Sequence, residues 1–168
     1  MNSAELKSLQ APLKEKYRES PESAVITLKA MGKIGDAISC KVETGRAIVE
    51  AGLHPATGGE GTLACSGDLL LEALVACAGV TIGAVATAIG VEISGGDVRA
   101  EGDLDFRGTL GVSKEAPVGF KSIRLYFTLQ SNASAEQIKT LLNLTERYCV
   151  VLQTLVKGVS VEIVVAQQ

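Results

Sequence analysis

The residues of this chain best equipped for chemistry are four cysteines, Cys40, Cys65, Cys77 and Cys149. They do not spell a zinc site. There is no CxxC, the lone His54 has no histidine partner, and the intervals of 25, 12 and 72 residues match no ligand pattern. A serine nucleophile is not indicated either, because no GxSxG elbow is present, and no glycine-rich phosphate loop runs into a lysine. The expectation is a protein with no metal and no bound cofactor, whose remaining chemistry is that of thiolates.

Two of the four thiols fall inside apolar helical patterns. Residues 66–90, SGDLLLEALVACAGVTIGAVATAIG, form the longest apolar run and carry Cys77 at the middle. Ser66 reads as the N-cap, Asp68 places a negative charge at the positive end of the helix dipole, and Gly90 supplies the stop. Apolar residues fall on every side, so the run reads as a buried helix wrapped by the rest of the fold. At about 20 apolar residues it is just long enough to span a membrane. Glu72, the Thr and Gly content and the absence of Lys or Arg at either flank argue against that, and no membrane partner is expected.

The second pattern starts with a capping box, Ser134 and Gln137. From there Ile138, Leu141, Leu142, Thr145, Tyr148, Cys149 and Leu152 share one face, and Lys157-Gly158 closes the helix. Cys149 therefore points inward. A reactive thiol needs a nearby cation or a helix N-terminus, and Cys77 sits about three turns inside its own helix, too far from the positive end to benefit. Spacing alone thus asks for a Lys or Arg from elsewhere, with Lys33, Arg46 and Arg147 as the candidates and nothing to choose among them. Cys40, inside a strand pattern, reads as a small buried hydrophobe. His54, next to Pro55, reads as a loop contact.

Around these patterns the chain alternates between helical and strand periods. Residues 3–20 look helical in two pieces, with Ser3 as a cap and Pro12 in the first turn of the second. Residues 24–31, 37–44 and 46–52 have the period of strands, separated by turn signals at 32–36 and 44–45, which predicts an antiparallel meander. A glycine-rich loop over 53–65 leads into the central helix, a natural place for functional groups. Residues 91–106 and 119–131 read as two more strands, and 159–166, VSVEIVVA, as a terminal one. The expected organisation is an N-terminal helical extension over 1–23 and one α+β domain over 24–168.

Composition narrows the partners. The chain is 46% hydrophobic with three Phe, three Tyr and no Trp, so the core is aliphatic. The net charge of −3 is mixed along the sequence, which excludes a nucleic-acid surface or a polybasic membrane patch. The N-terminus lacks a basic start followed by an apolar block, so a cytoplasmic location with reduced thiols is the expectation.

Two stretches taken together resemble a family. LLLEALVACAGVT and RYCVVLQTLVKGVSVEIVV look like the two cysteine signatures of the OsmC/Ohr superfamily, and the order of meander, Gly-Gly loop, central helix, two strands, helix and strand fits it as well. The resemblance covers about residues 24–166. It implies an α+β OsmC-like fold assembled as an intertwined homodimer, and a peroxidase for organic hydroperoxides reset by an external dithiol. Cys77 would match the peroxidatic cysteine and Cys149 the resolving one, with Leu70 and Leu74 in an apolar substrate lining. Active members carry a Pro-Glu pair at the head of the central helix, where this chain has Ser66-Gly67, and an arginine in the first turn, where it has Lys33. Asp68, one residue on, is the nearest substitute for the glutamate, and Val150 stands where a proline commonly follows the second cysteine. The alternative implied by these departures is a redox-silent module holding a small apolar ligand at the dimer interface.

Overall fold

The computed structural model describes residues 48–111 and 113–166 throughout, the backbone of 31–35 and 39–43, and positions 2–5, 8, 11, 19 and 20. The apolar run folds as one helix, α1, over Ser66–Ile89. Its N-cap is Cys65 rather than Ser66 and makes no side-chain capping bond, while Asp68 lies in the first turn as expected. Gly90 ends it in the left-handed region at φ 74°, its N–H donating to Ala86 O, a conformation that glycine adopts without a Cβ penalty.

Among the described residues, α1 is buried along one side. Leu74, Ala78, Ile82 and Ala86 are buried, a single ridge at four-residue spacing, whereas Val80 on another side is 76% exposed. The expectation of a helix wrapped all round is therefore corrected for the isolated chain. By length and composition α1 is also apolar enough to cross a membrane.

Two sheets accompany the helices. The first has four strands in the order β1, β2, β3, β4: Met31–Gly35, Ser39–Glu43 and Ile48–Gly52 as an antiparallel meander, then Ala64–Cys65 parallel to β3. The turn expected at 32–36 is in fact strand β1, with Ile34 opposite Cys40 and Gly35 opposite Ser39. Ladder pairing outweighs the weak strand preference of Gly32 and Gly35, so Lys33 sits in a strand and not at a turn. Most of the strand predicted over 24–31 lies outside the described residues, as do most of the helices predicted over 3–20. Where the start of the latter is described, Asn2 and not Ser3 is the cap, accepting from Glu5 N at 2.9 Å.

Between β3 and β4 the loop folds back through a single 3-10 turn, Pro55–Thr57, whose N-cap His54 accepts from Ala56 N through Nδ1 at 3.0 Å. Gly59 passes so near Leu53 that a Cβ would come within 1.7 Å of that residue's carbonyl oxygen.

The second sheet pairs β5, Gly95–Leu104, with β6, Phe120–Gln130, antiparallel and with a bulge at Asp103/Leu104. A one-turn helix, α2, Phe106–Thr109, lies in their link, capped by Asp105. The predicted alternation holds: Val98, Ala100, Ile123, Leu125 and Phe127 pack inward, while on the other face Arg124 pairs with Glu101 and Asp103 and Arg99 stacks over Tyr126. These exposed pairs contribute little stability each.

Helix α3, Ala135–Tyr148, begins with the expected capping box, and α4, Val150–Lys157, follows after one residue. That residue is Cys149, at φ −72° and ψ 108°, so the single helix predicted over 134–157 is broken at the cysteine. Leu141 and Thr145 of α3 are buried, Leu141 in a cluster with Ile82, Ala86 and Val91. The predicted strand over 159–166 does not form. Val159, Val161, Ile163, Val164 and Val165 are between 66% and 87% exposed.

Candidate active site

The second core cluster brings the two helical thiols together. Leu74, Ala78 and Cys149 are fully buried, and Cys77, Val151, Leu152 and Leu155 pack against them with the inner face of β5 and β6. Cys77 comes from the middle of α1, and Cys149 from the break between α3 and α4. The break itself positions the second thiol: an extended ψ at 149 ends one helix and starts the next, so Cys149 is at once the C-cap of α3 and the N-cap of α4.

The two sulfurs differ in their electrostatics. Burial acts to raise the pKa of Cys77, but it is outweighed by the influence of the backbone N–H groups of Val151 and Val150 and of the Cys149 thiol on the sulfur, so the net shift is downward. For Cys149 burial wins. Its pKa is raised, with the hydrogen bond to Cys77 and the charge of that neighbour adding to burial, although the amides of Leu152 and Val151 work the other way. Of the pair, Cys77 is therefore the more acidic thiol and Cys149 the less acidic.

The other expected site residues separate into three groups. Leu74 is fully buried at the pair, and Leu70, two turns before Cys77, is 37% exposed along the same side of α1. Asp68 is exposed about 14 Å before Cys77 along the axis and half a turn round it, so within this chain it does not meet the thiol. Arg147 is exposed on the far side of the α3–α4 junction, its guanidinium 5.5 Å from the centre of the Tyr148 ring. Arg46 and the side chain of Lys33 lie outside the described residues. Among the described residues, the groups acting most strongly on Cys77 include no Lys or Arg.

The residues that the sequence did not point to are Thr81, Val150 and Val151. Thr81 is one turn past Cys77, and its hydroxyl donates to Cys77 O at 2.7 Å. That spacing was a legible signal. Val150 and Val151 act through backbone N–H groups, for which a side-chain pattern carries no signal.

Residues 59–164 match the family described as OsmC-like protein. This chain belongs to that family. Solved structures agree in fold: an OsmC like protein from Mycoplasma pneumoniae superposes with a TM-score of 0.66 at 18% identity, covering 80% of this chain and 89% of that one. An organic hydroperoxide resistance protein OsmC from Legionella pneumophila gives 0.62 at 18% identity over 80% and 92%. OhrB of Bacillus subtilis, also an organic hydroperoxide resistance protein, gives 0.52 at 19% over 78% and 91%. No curated protein matches the sequence. At these identities the likeness establishes the OsmC-like fold, α+β with the central helix and the second cysteine-bearing helical segment as expected.

Proposed function

We propose that this OsmC-like protein is a thiol peroxidase that reduces organic hydroperoxides through Cys77 and Cys149. The observation that carries the reading is the pairing of two thiols with opposite shifts in one apolar cluster, a lowered Cys77 and a raised Cys149. The Cys77 thiolate attacks the distal oxygen of a hydroperoxide. The O–O bond breaks, the alkoxide takes a proton to leave as an alcohol, and Cys77 becomes a sulfenic acid. Cys149 then attacks that sulfur, a disulfide forms and water leaves; an external dithiol reduces the disulfide and is itself oxidised. Leu70 presents aliphatic surface on the thiol's side of α1, which favours an organic over an inorganic peroxide.

The working unit in this reading is a homodimer. Support comes from apolar surface that the single chain leaves uncovered, on the Val80 side of α1 and along 159–165. A reducing compartment such as the cytoplasm suits the cycle, because Cys149 must return to a thiol after each turnover.

The test is mass spectrometry of the reduced protein before and after a stoichiometric pulse of cumene hydroperoxide, with free thiols alkylated under denaturing conditions. A Cys77–Cys149 disulfide forming within seconds is the expected result. Both thiols free after minutes would leave the redox-silent binding module, a reading that draws on the lack of a Lys or Arg among the strongest described influences on Cys77.

A further inference from the structure

Gly67 is a glycine that nothing local requires. It lies in the first turn of α1, where most residues serve a helix better, and its φ is outside the left-handed region. A Cβ there would lie 3.5 Å from Phe120 Cζ and 3.6 Å from both Cys65 Sγ and Leu104 Cδ1, which is ordinary contact. What the missing side chain leaves is room: a cavity of about 360 Å³ opens at this end of α1. A space of about 150 Å³ takes a benzene ring, so this one has the capacity for a ligand of one or two rings.

The lining is apolar within and polar at the rim. Leu104, Phe106 and Phe120 are partly buried, and the His54 ring continues the aromatic wall, stacked on Phe106 with centroids 4.9 Å apart. His54 Nδ1 accepts from Ala56 N at 3.0 Å, so in the neutral ring the proton sits on Nε2. That N–H has no acceptor among the described residues, and the exposed Asp68 carboxylate has neither a hydrogen bond nor an ion pair among them. The other acid of the lining, Asp103, is held by the Ser122 hydroxyl at 2.7 Å and by Arg124. One donor and one acceptor are therefore left beside aromatic walls.

We propose that this cavity is a second ligand site, apart from the thiol pair, for a small neutral aromatic compound bearing a hydroxyl, a phenol or an aryl alcohol. The ring packs against Phe106 and Phe120, the hydroxyl oxygen accepts from His54 Nε2–H, and the hydroxyl proton is donated to Asp68. A hydroxyl is the smallest group that serves both. A carboxylate would meet Asp68 as a like charge, and an ammonium has no lone pair for the histidine. Gly67 lies about 15 Å before Cys77 along the axis of α1, so the site does not depend on the peroxidase reading.

Cys65 is a reporter within the wall, and its alkylation by N-ethylmaleimide on the full reduced chain, resolved by mass spectrometry, reads occupancy. A ligand of this size binds in the millimolar range, so about 20 mM benzyl alcohol should slow that alkylation about three- to tenfold. Benzene, benzoate and benzylammonium should each protect less. Gly67→Leu fills the space and should abolish the protection, taken as the ratio of rates with and without the alcohol in that variant. His54→Asn keeps a capping acceptor for Ala56 N but lacks Nε2–H, and the concentration giving half protection should rise about three- to tenfold. Absence of protection in the parent, or equal protection in Gly67→Leu shown folded by far-ultraviolet circular dichroism, would overturn the proposal. Should Gly67→Leu not fold, Gly67→Ala decides: its Cβ is accommodated, and weaker half protection upholds the site while an unchanged value overturns it. Protection by benzene, benzoate or benzylammonium equal to that by benzyl alcohol, or an unchanged half protection in His54→Asn, would overturn the ligand class.

Discussion

Two helices of this protein begin on a cysteine, and they use it differently. Cys65 caps α1 and Cys149 caps α4, neither with a side-chain capping bond. At α1 the first turn carries Asp68, so a carboxylate already answers the positive end of the dipole. Cys65 borders a cavity of about 360 Å³ with His54, Asp68, Leu71, Phe106 and Phe120. His54 is engaged there in structure: Nδ1 accepts from Ala56 N, and the ring stacks on Phe106 at 4.9 Å. At α4 the first turn is Val-Val-Leu, without a carboxylate, and a second thiol is packed onto it. The two helix starts differ in what accompanies the first-turn amides, an acid at α1 and a cluster with a second thiol at α4.

The sharpest way to break this contrast is to remove the thiols one at a time. Cys77→Ser should abolish consumption of cumene hydroperoxide, and Cys149→Ser should leave a sulfenic acid on Cys77 that dimedone labels. Cys65→Ser should consume peroxide at the parent rate. A dead Cys65→Ser would move the chemistry to the other helix start.

The next effect concerns packing. Leu74→Ala empties a fully buried position in the cluster that holds the two thiols and should cost about 2–5 kcal/mol in urea unfolding. Leu71→Ala, at a partly buried position on the cavity beside Cys65, should cost less.

Electrostatics supplies the third and fourth tests. Val150→Asp gives α4 the first-turn carboxylate that α1 has. A negative charge there opposes the thiolate, so the Cys77 midpoint should rise; since the thiolate is the reactive form and alkylation increases with pH, the rate below the midpoint should fall about tenfold. The converse change is smaller. Asp68→Asn should alter α1 stability by about 0.3–1 kcal/mol and leave the alkylation profile of Cys77 unmoved. A shifted profile would restore Asp68 as a group that reaches the thiol.

Much of the fold was legible because its signals are local. The capping box at Ser134, the stop at Gly90 and the alternation through Ile123, Leu125 and Phe127 are each decided by a few neighbouring residues. The break at Cys149 was not legible. Tyr148-Cys149-Val150-Val151 contains no glycine or proline, and the three-and-four spacing of apolar residues continues across it. Strand β1 was misplaced for the opposite reason: Gly32 and Gly35 are strong turn signals locally, and the ladder with β2 overrides them. The terminal segment 159–166 has the composition of a strand and no described strand beside it to complete the ladder.

By itself the sequence determined the long apolar helix with a thiol at its middle, the inward face bearing Cys149 and the two-strand alternation. Those depend on side-chain periodicity, which the order of residues states outright. The tertiary structure decided what surrounds the Cys77 thiol. The lowering groups include two amides that every residue but proline possesses, and only the break at Cys149 and the packing of α4 against α1 turn them toward the sulfur.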